Sequence, residues 1–286
     1  LSSLWIGHSS NKDSEEAIKT VSNLYLDELA GRREQVVADN LKGRIDDMQT
    51  ALSMITEDDL SDDAHLQAYQ KKIKKYFNLE KFAFVDEEGI IHTSKGNLTE
   101  IDKYDFDYRS LDDTDISIKN LKTKDKKVVI ATPVDNLSLN GKKFLVCFME
   151  IGMDEMLSGV SMNSQKDDAT FSNLYTKEGV ALTDTILGGL AVEDNLLDAL
   201  ANAKYDEGSS YDKVTSDFEN GVEGEASFRY NGIQETISYV PVEGTDWFLT
   251  YLIRESVITD EISFLSDNMI KRSIIQAFLI LVTLLL

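Results

Sequence analysis

Between residues 14 and 55 apolar side chains return every three or four positions, at Ile18, Val21, Leu24, Leu29, Val37, Leu41, Ile45, Met48, Leu52 and Ile55. That spacing lines one stripe of an α-helix. The only glycines are Gly31 and Gly43 and there is no proline, so the stretch predicts one long helix of about 60 Å at 1.5 Å per residue. Its stripe packs either on the rest of its own chain or on a second copy. Ser61 is the expected cap of a second helix, which carries Leu66, Tyr69, Ile73 and Phe77 on one face.

Beyond residue 80 the pattern shortens to strands, and one phrase is written twice. Residues 82–93 read Phe-Ala-Phe-Val-Asp-Glu-Glu-Gly-Ile-Ile-His-Thr, and 172–183 read Ser-Asn-Leu-Tyr-Thr-Lys-Glu-Gly-Val-Ala-Leu-Thr. Each is a strand, a turn ending in Glu-Gly and a returning strand, with Gly89 and Gly179 at the position of a tight turn that needs positive φ. Downstream of each copy lies one of the chain's two prolines, in Pro133-Val134-Asp135 and Pro241-Val242-Glu243. A duplicated module is the consequence.

The first copy continues through an irregular stretch at 97–114 rich in Tyr and Asp, alternating Ile116 and Ile118, a strand at 128–133, a turn at Asn140-Gly141 and a strand at 144–151. About five short antiparallel strands are expected. The second copy adds a helix at about 192–203 and a strand at 225–230. The turn Asn231-Gly232, a returning strand at 233–240 and a closing strand at 247–253 follow, with Trp247 in the core. Beyond the Glu-Gly turns the copies differ in length: 44 residues separate turn and proline in the first (89 to 133), and 62 in the second (179 to 241).

The composition then bounds the class. At 286 residues with 42% hydrophobic and 28% charged side chains the chain can bury two modest cores. A net charge of -22 argues against nucleic acid as a partner, because a phosphate backbone is bound by clustered Lys and Arg. The acidity is concentrated between residues 160 and 260, with 6 Lys plus Arg against 19 Asp plus Glu. Lysine runs at 71–75 and 124–127 read as solvated faces. Cys147 is the only cysteine, so neither an intrachain disulfide nor a CxxC site exists. No cofactor motif, GxSxG, P-loop or HExxH pattern appears, and His8, His65 and His92 lack zinc-like spacing. Asp112-Asp113-Thr114-Asp115 lacks the glycine and final glutamate of a calcium loop.

The ends point to a membrane. The chain opens on Leu1, and 274–286 holds only Gln276 and Thr283 as polar residues. A helix of that run spans about 20 Å against a hydrocarbon core of about 30 Å. It is expected to be the start of a transmembrane segment, entered by a helix beginning near Glu255.

Long helix, two modules and membrane helix, in that order, resemble the double Cache family of extracytoplasmic sensor domains. The residues that carry the resemblance are Val85-Asp86-Glu87-Glu88-Gly89-Ile90-Ile91, Ile130-Ala131-Thr132-Pro133-Val134-Asp135 and Tyr239 to Trp247. The resemblance implies an α+β fold: a long N-terminal stalk helix (1–60), a membrane-distal PAS-like antiparallel module (61–160), a membrane-proximal one (161–256) and a C-terminal helix entering the membrane (257–286). It further implies a bacterial transmembrane receptor that binds a small molecule in its distal module and relays it to a cytoplasmic histidine kinase, diguanylate cyclase or chemoreceptor output. The fragment itself is then no enzyme, and a homodimer through the long helix is an open alternative.

Family members that bind amino acids carry Arg-x-Trp-Tyr before the third strand and an Asp after the next. Here Tyr108-Arg109-Ser110-Leu111 keeps only the arginine, and Asp135 stands in the aspartate's place. Arg109 is the only arginine between Arg44 and Arg229, and its guanidinium fork suits a carboxylate. It serves either a ligand or the neighbouring Asp105, Asp107 and Asp112. Asp135 either holds an ammonium or makes a turn after Pro133. Tyr104 and Tyr108 either stack on a ligand or cover the sheet. With Thr132 these are the candidate binding residues, for a molecule bearing a carboxylate or an amine. The alternative is an extracellular protein-interaction module without a small ligand.

Overall fold

The stripe of the long helix decides the layout. In the computed structural model, which describes residues 31–158, 160, 170–183, 190 and 193–254, residues 31–54 form helix α1. Val37, Leu41, Met48 and Ala51 of α1 are buried in an apolar cluster with Leu66, Tyr69 and Ile73 of α2 (Asp63–Tyr76). The same cluster takes in Phe82, Phe84, Ile130, Cys147 and Met149 from the first module and Leu174, Leu182, Trp247 and Leu249 from the second. The stripe therefore packs on its own chain and joins both modules along one helix. Residues 14–30 of the expected helix lie outside the described residues.

Polar contacts follow the same line. Arg33 Nη1 donates to Ser172 Oγ at 2.5 Å and Glu34 Oε1 accepts from the Glu243 amide at 3.1 Å. Further along, Asn40 Nδ2 donates to the Met156 carbonyl at 3.0 Å, and Arg44 Nη1 to that of Phe77 at 2.9 Å. At the start of α2 the cap is Asp62 rather than Ser61. The Asp62 carboxylate accepts from the His65 amide at 2.9 Å, whereas Ser61 Oγ donates back to the Asp58 carbonyl. Two adjacent residues have capping chemistry, and the one with three-residue reach to a free amide takes the role.

The first sheet is antiparallel, in the order β3 (Gly96–Leu98), β2 (Ile91–Thr93), β1 (Lys81–Asp86), β7 (Lys142–Gly152), β5 (Lys127–Pro133) and β4 (Asp115–Lys119). A two-residue strand, β6 (Ser138–Leu139), pairs with the start of β7. It has seven strands where about five were expected, because β3 and β6 are too short to show a period. After α3 (Met153–Met156) the second sheet runs β8 (Thr170–Thr176), β12 (Trp247–Arg254), β11 (Ile233–Pro241), β10 (Gly224–Tyr230) and β9 (Lys204–Tyr205).

The duplication is visible bond by bond. In the first turn the Gly89 amide donates to Asp86 O at 2.9 Å, and in the second the Gly179 amide donates to Thr176 O at 2.8 Å; both glycines have φ of 82°. Pro133 ends β5 and Pro241 ends β11, and the following valines donate alike: Val134 to Leu145 O and Val242 to Trp247 O, each at 2.9 Å. The second module covers one face of its sheet with α4 (Leu196–Leu200) and α5 (Tyr211–Asn220). The helix expected at 192–203 is shorter, starting after the Asn195 cap, and α5 was not expected at all. Among the described residues no helix is long and apolar enough to cross a membrane; the run 274–286 lies outside them.

Candidate functional site

Pleating gives the first sheet two unlike faces. Phe82, Phe84, Val128, Ile130, Cys147 and Met149 turn toward α1 and α2. Ala83, Val85, Val129, Ala131, Val146 and Phe148 form the opposite face. The segment after the 3-10 turn Ile101–Lys103 lies over that second face, with Tyr104, Phe106 and Tyr108 buried and Asp105, Asp107 and Arg109 exposed. This alternation is that of an extended strip with one side down, although it makes no ladder. Ala83 and Ala131 leave room for the rings, whose centroids close on Phe148 at 4.7 Å for Tyr104 and 5.4 Å for Phe106. Burial of each ring contributes about 2 kcal/mol to holding this lid down.

One end of the covered face is charged. Glu150 on β7 stands opposite Lys81 on β1, and Lys119 reaches over from β4. Lys81 Nζ lies 3.0 Å and Lys119 Nζ 2.9 Å from the same carboxylate oxygen, Glu150 Oε1. Both ammoniums also donate to the Tyr104 hydroxyl, at 2.7 Å and 2.9 Å, and that hydroxyl donates to Glu150. Burial pushes the Glu150 carboxyl up, but the Tyr104 and Lys119 hydrogen bonds and the charge of Lys81 outweigh it, leaving the group below its ordinary value. Burial and the neighbouring Glu150 push the Tyr104 phenol up. No local motif announces this cluster. Its one sequence signal is Glu150 itself, an acid inside the apolar run 144–151.

The other end is formed by the lid and the first hairpin. A Cβ on Gly89 would meet the Tyr108 hydroxyl at 2.7 Å, so the ring reaches the turn. Arg109 is exposed, with its guanidinium 4.5 Å from the Tyr108 ring centroid. Asp107 fixes this corner by accepting from Ser110 Oγ at 2.7 Å and the Arg109 amide at 3.1 Å, which together hold its carboxyl below the usual range. Thr132 shares the pleat of Val128 and Ile130, on the α1 side, and its Oγ1 accepts from Thr114 Oγ1 at 3.1 Å. Asp135 is exposed in the turn after β5. The fold thus brings Tyr104, Tyr108 and Arg109 into one lid and leaves Thr132 and Asp135 outside it.

The hairpin is braced from below. Asp86 Oδ2 lies 2.9 Å from His92 Nε2, while Asp86 Oδ1 accepts from the amides of Glu88 and Ile90 at 3.0 Å and 2.9 Å. Elsewhere, a groove of about 360 Å³ runs between 78–80, 124–127 and 152–155. Part of its charge is paired within the protein, Lys127 with Glu80 at 2.5 Å and Glu155 with Arg44 at 3.0 Å.

No family model matches the chain, and no curated protein does. Solved structures do. The ligand-binding domain of the Pseudomonas aeruginosa amino acid chemoreceptor PctB, in complex with L-Arg, is 15% identical with a TM-score of 0.57, over 85% of this chain and 92% of that one. The sensory domain of the Campylobacter jejuni chemoreceptor Tlp3 is 10% identical with a TM-score of 0.57, over 87% and 99%. The periplasmic domain of RsbU from Chlamydia trachomatis is 12% identical with a TM-score of 0.54, over 88% and 99%. The chain has the fold of these domains.

Proposed function

We propose that this chain is the extracytoplasmic sensing region of a membrane-bound signalling receptor, which binds a small molecule under the lid of its first module. The observation that carries the reading is the set of buried Glu150 and Tyr104 with half-buried Lys81 and Lys119 on an otherwise apolar face. Burying charge costs more than burying carbon, so a fold that needed only a core would fill this place with apolar side chains. PctB, a neighbour in fold, was solved with an amino acid bound. Tyr104 and Tyr108 would line the site and Arg109 its rim; Asp135 would be engaged only if the turn after β5 closes onto the lid, and Thr132, on the α1 side of the sheet, would support the strand from behind. The apolar run 274–286 would anchor the chain, and α1, bonded to both modules, would carry the change.

A ligand can bias signalling only through unequal affinity for two arrangements of the protein. Lid down and lid raised supply the two. Thermal unfolding and calorimetric titration with amino acids, carboxylates and amines test the reading. A ligand at 100 times its Kd adds about 2.7 kcal/mol of stability, and Arg109→Ala should weaken its binding. Unchanged stability with every class would defeat the reading, and an unaffected variant would remove Arg109 from the site.

One observation favours a second reading, a protein-interaction module without a small ligand. The rings of Tyr104, Phe106 and Phe148 already fill the covered face. A partner protein that binds the chain while no small molecule does would support it.

A further inference from the structure

The charged end of the covered face is not balanced at close range. Two ammoniums, Lys81 and Lys119, share a single carboxylate oxygen of Glu150. The next acid, Glu100, is bonded to Lys103 at 2.5 Å and is partly in solvent. Glu100 also draws on both ammoniums from further off, but within hydrogen-bond reach two ammoniums face one carboxylate beneath an aromatic lid, where solvent screens charge less than at an open surface. What sits between the ammoniums is the Tyr104 hydroxyl, 2.7 Å and 2.9 Å from them. A phenol oxygen accepts hydrogen bonds there but brings no charge. A carboxylate oxygen would accept the same two bonds and add the attraction between full opposite charges, which the phenol cannot supply.

We infer that Lys81 and Lys119 are the anion-recognising wall of the site, and that its ligand is a small monocarboxylic acid whose head displaces the Tyr104 hydroxyl. This deepens the sensing reading and rests on it. The body of the acid takes the space of the Tyr104 ring, over Ala83, Val129, Ala131 and Phe148. It is therefore apolar and no larger than a phenyl group. An α-amino group is not required, because Asp135 stands exposed outside the lid. Arg109, on the outer side of Tyr108, is not the primary anion partner. Displacing Tyr104 also frees the lid, which links recognition to the two arrangements.

Calorimetric titration and thermal shift with propionate, pyruvate and benzoate, each against its uncharged amide, test this on the full chain. The acids should bind at least about tenfold more tightly than the amides, and Lys81→Gln or Lys119→Gln should weaken them by about the same factor. Lys142→Gln, which removes a surface partner of Glu88, should leave affinity within about twofold. Tyr104→Phe keeps the ring and removes the competing oxygen, so acids should bind it several-fold more tightly. Acids and amides binding alike, or lysine variants binding as the parent does, would overturn the inference. Binding by amines or uncharged molecules alone would overturn it and leave the sensing reading intact. Failure of every small molecule would overturn both. Should the lysine variants not fold, Tyr104→Phe decides: tighter binding supports the inference, and unchanged or weaker binding overturns it.

Discussion

The Tyr108 hydroxyl rests against the α-carbon of Gly89, so the tip of the lid and the first hairpin turn leave no space for a methyl group between them. In the second copy the same place beside Gly179 is taken by the Leu197 backbone amide and the Asn195 side chain, each 2.9 Å from where a Cβ would be. Both glycines have φ of 82°, which costs an alanine about 1–2 kcal/mol. A tyrosine tip can swing away but a backbone cannot. Gly179→Ala should therefore lose more stability in denaturant titration than Gly89→Ala, and Gly89→Ala should also lift Tyr108. Equal losses would contradict this ranking.

Glu150 and Glu235 should respond oppositely to pH. Burial raises the carboxyl of Glu150, but its hydrogen bonds from Tyr104 and Lys119 bring the net value below the ordinary one. Its stabilising contribution is present above the unfolded glutamate value and is lost as pH falls through the lower folded value. Glu235, fully buried on β11, is raised by burial against the weaker pull of Arg254 at 3.5 Å. Its contribution is present at low pH and is lost as pH rises from the ordinary value through the raised one. At pH 7 Glu150→Gln should cost about 3 kcal/mol, since it leaves two ammoniums without their carboxylate, whereas Glu235→Gln should be neutral or stabilising. Stability curves of both variants from pH 3 to 8 check the signs.

Much of this is legible in the chain. The Glu-Gly turns and the Pro-Val steps mark equivalent strands because positive φ and a missing amide are demands of single residues. Helix α5 goes unpredicted although its signals are local: Ser210 caps it, Val214 and Phe218 are its buried residues, and Gly221 ends it at φ 65°. The charged cluster is a different case. Lys81, Tyr104, Lys119 and Glu150 come from three strands and the lid, and only the sheet order brings them together. Arg109 stands out as an isolated arginine, yet exposure, which decides its role, depends on which way the lid alternates.

Asp86 and Thr176 hold the same position in the two copies but carry different loads. Asp86 accepts two amides and pairs with His92, whereas Thr176 Oγ1 accepts the Val180 amide at 3.3 Å. Burial raises the Asp86 carboxyl, and His92 and the two amides outweigh it, so the net value is lowered. Asp86→Ala should cost about 3 kcal/mol and Thr176→Ala about 1 kcal/mol. The Asp86 contribution is present above the ordinary aspartate value and disappears as pH falls through the lower folded one. Urea titrations at pH 7 and pH 3 measure it, and a gap between the two alanine variants that did not narrow in acid would refute this account.

Arg44 ties α1 to two other helices. Its guanidinium donates to the Phe77 carbonyl at the end of α2 at 2.9 Å, and meets Asp47 at 3.3 Å and Glu155 of α3 at 3.0 Å. The Phe77 carbonyl closes a helix end, where the last carbonyls have no partner within the helix. A planar fork can serve three partners in fixed directions, and a lysine ammonium cannot match that geometry on a shorter reach. Arg44→Met should cost about 1–3 kcal/mol, and Arg44→Lys should recover less than half of it. The loss should appear first as faster amide exchange at the end of α2 and in α3, the segment that leads from the first module to the second. Full recovery by lysine would mean that charge alone, rather than the shape of the fork, ties α1 to that junction.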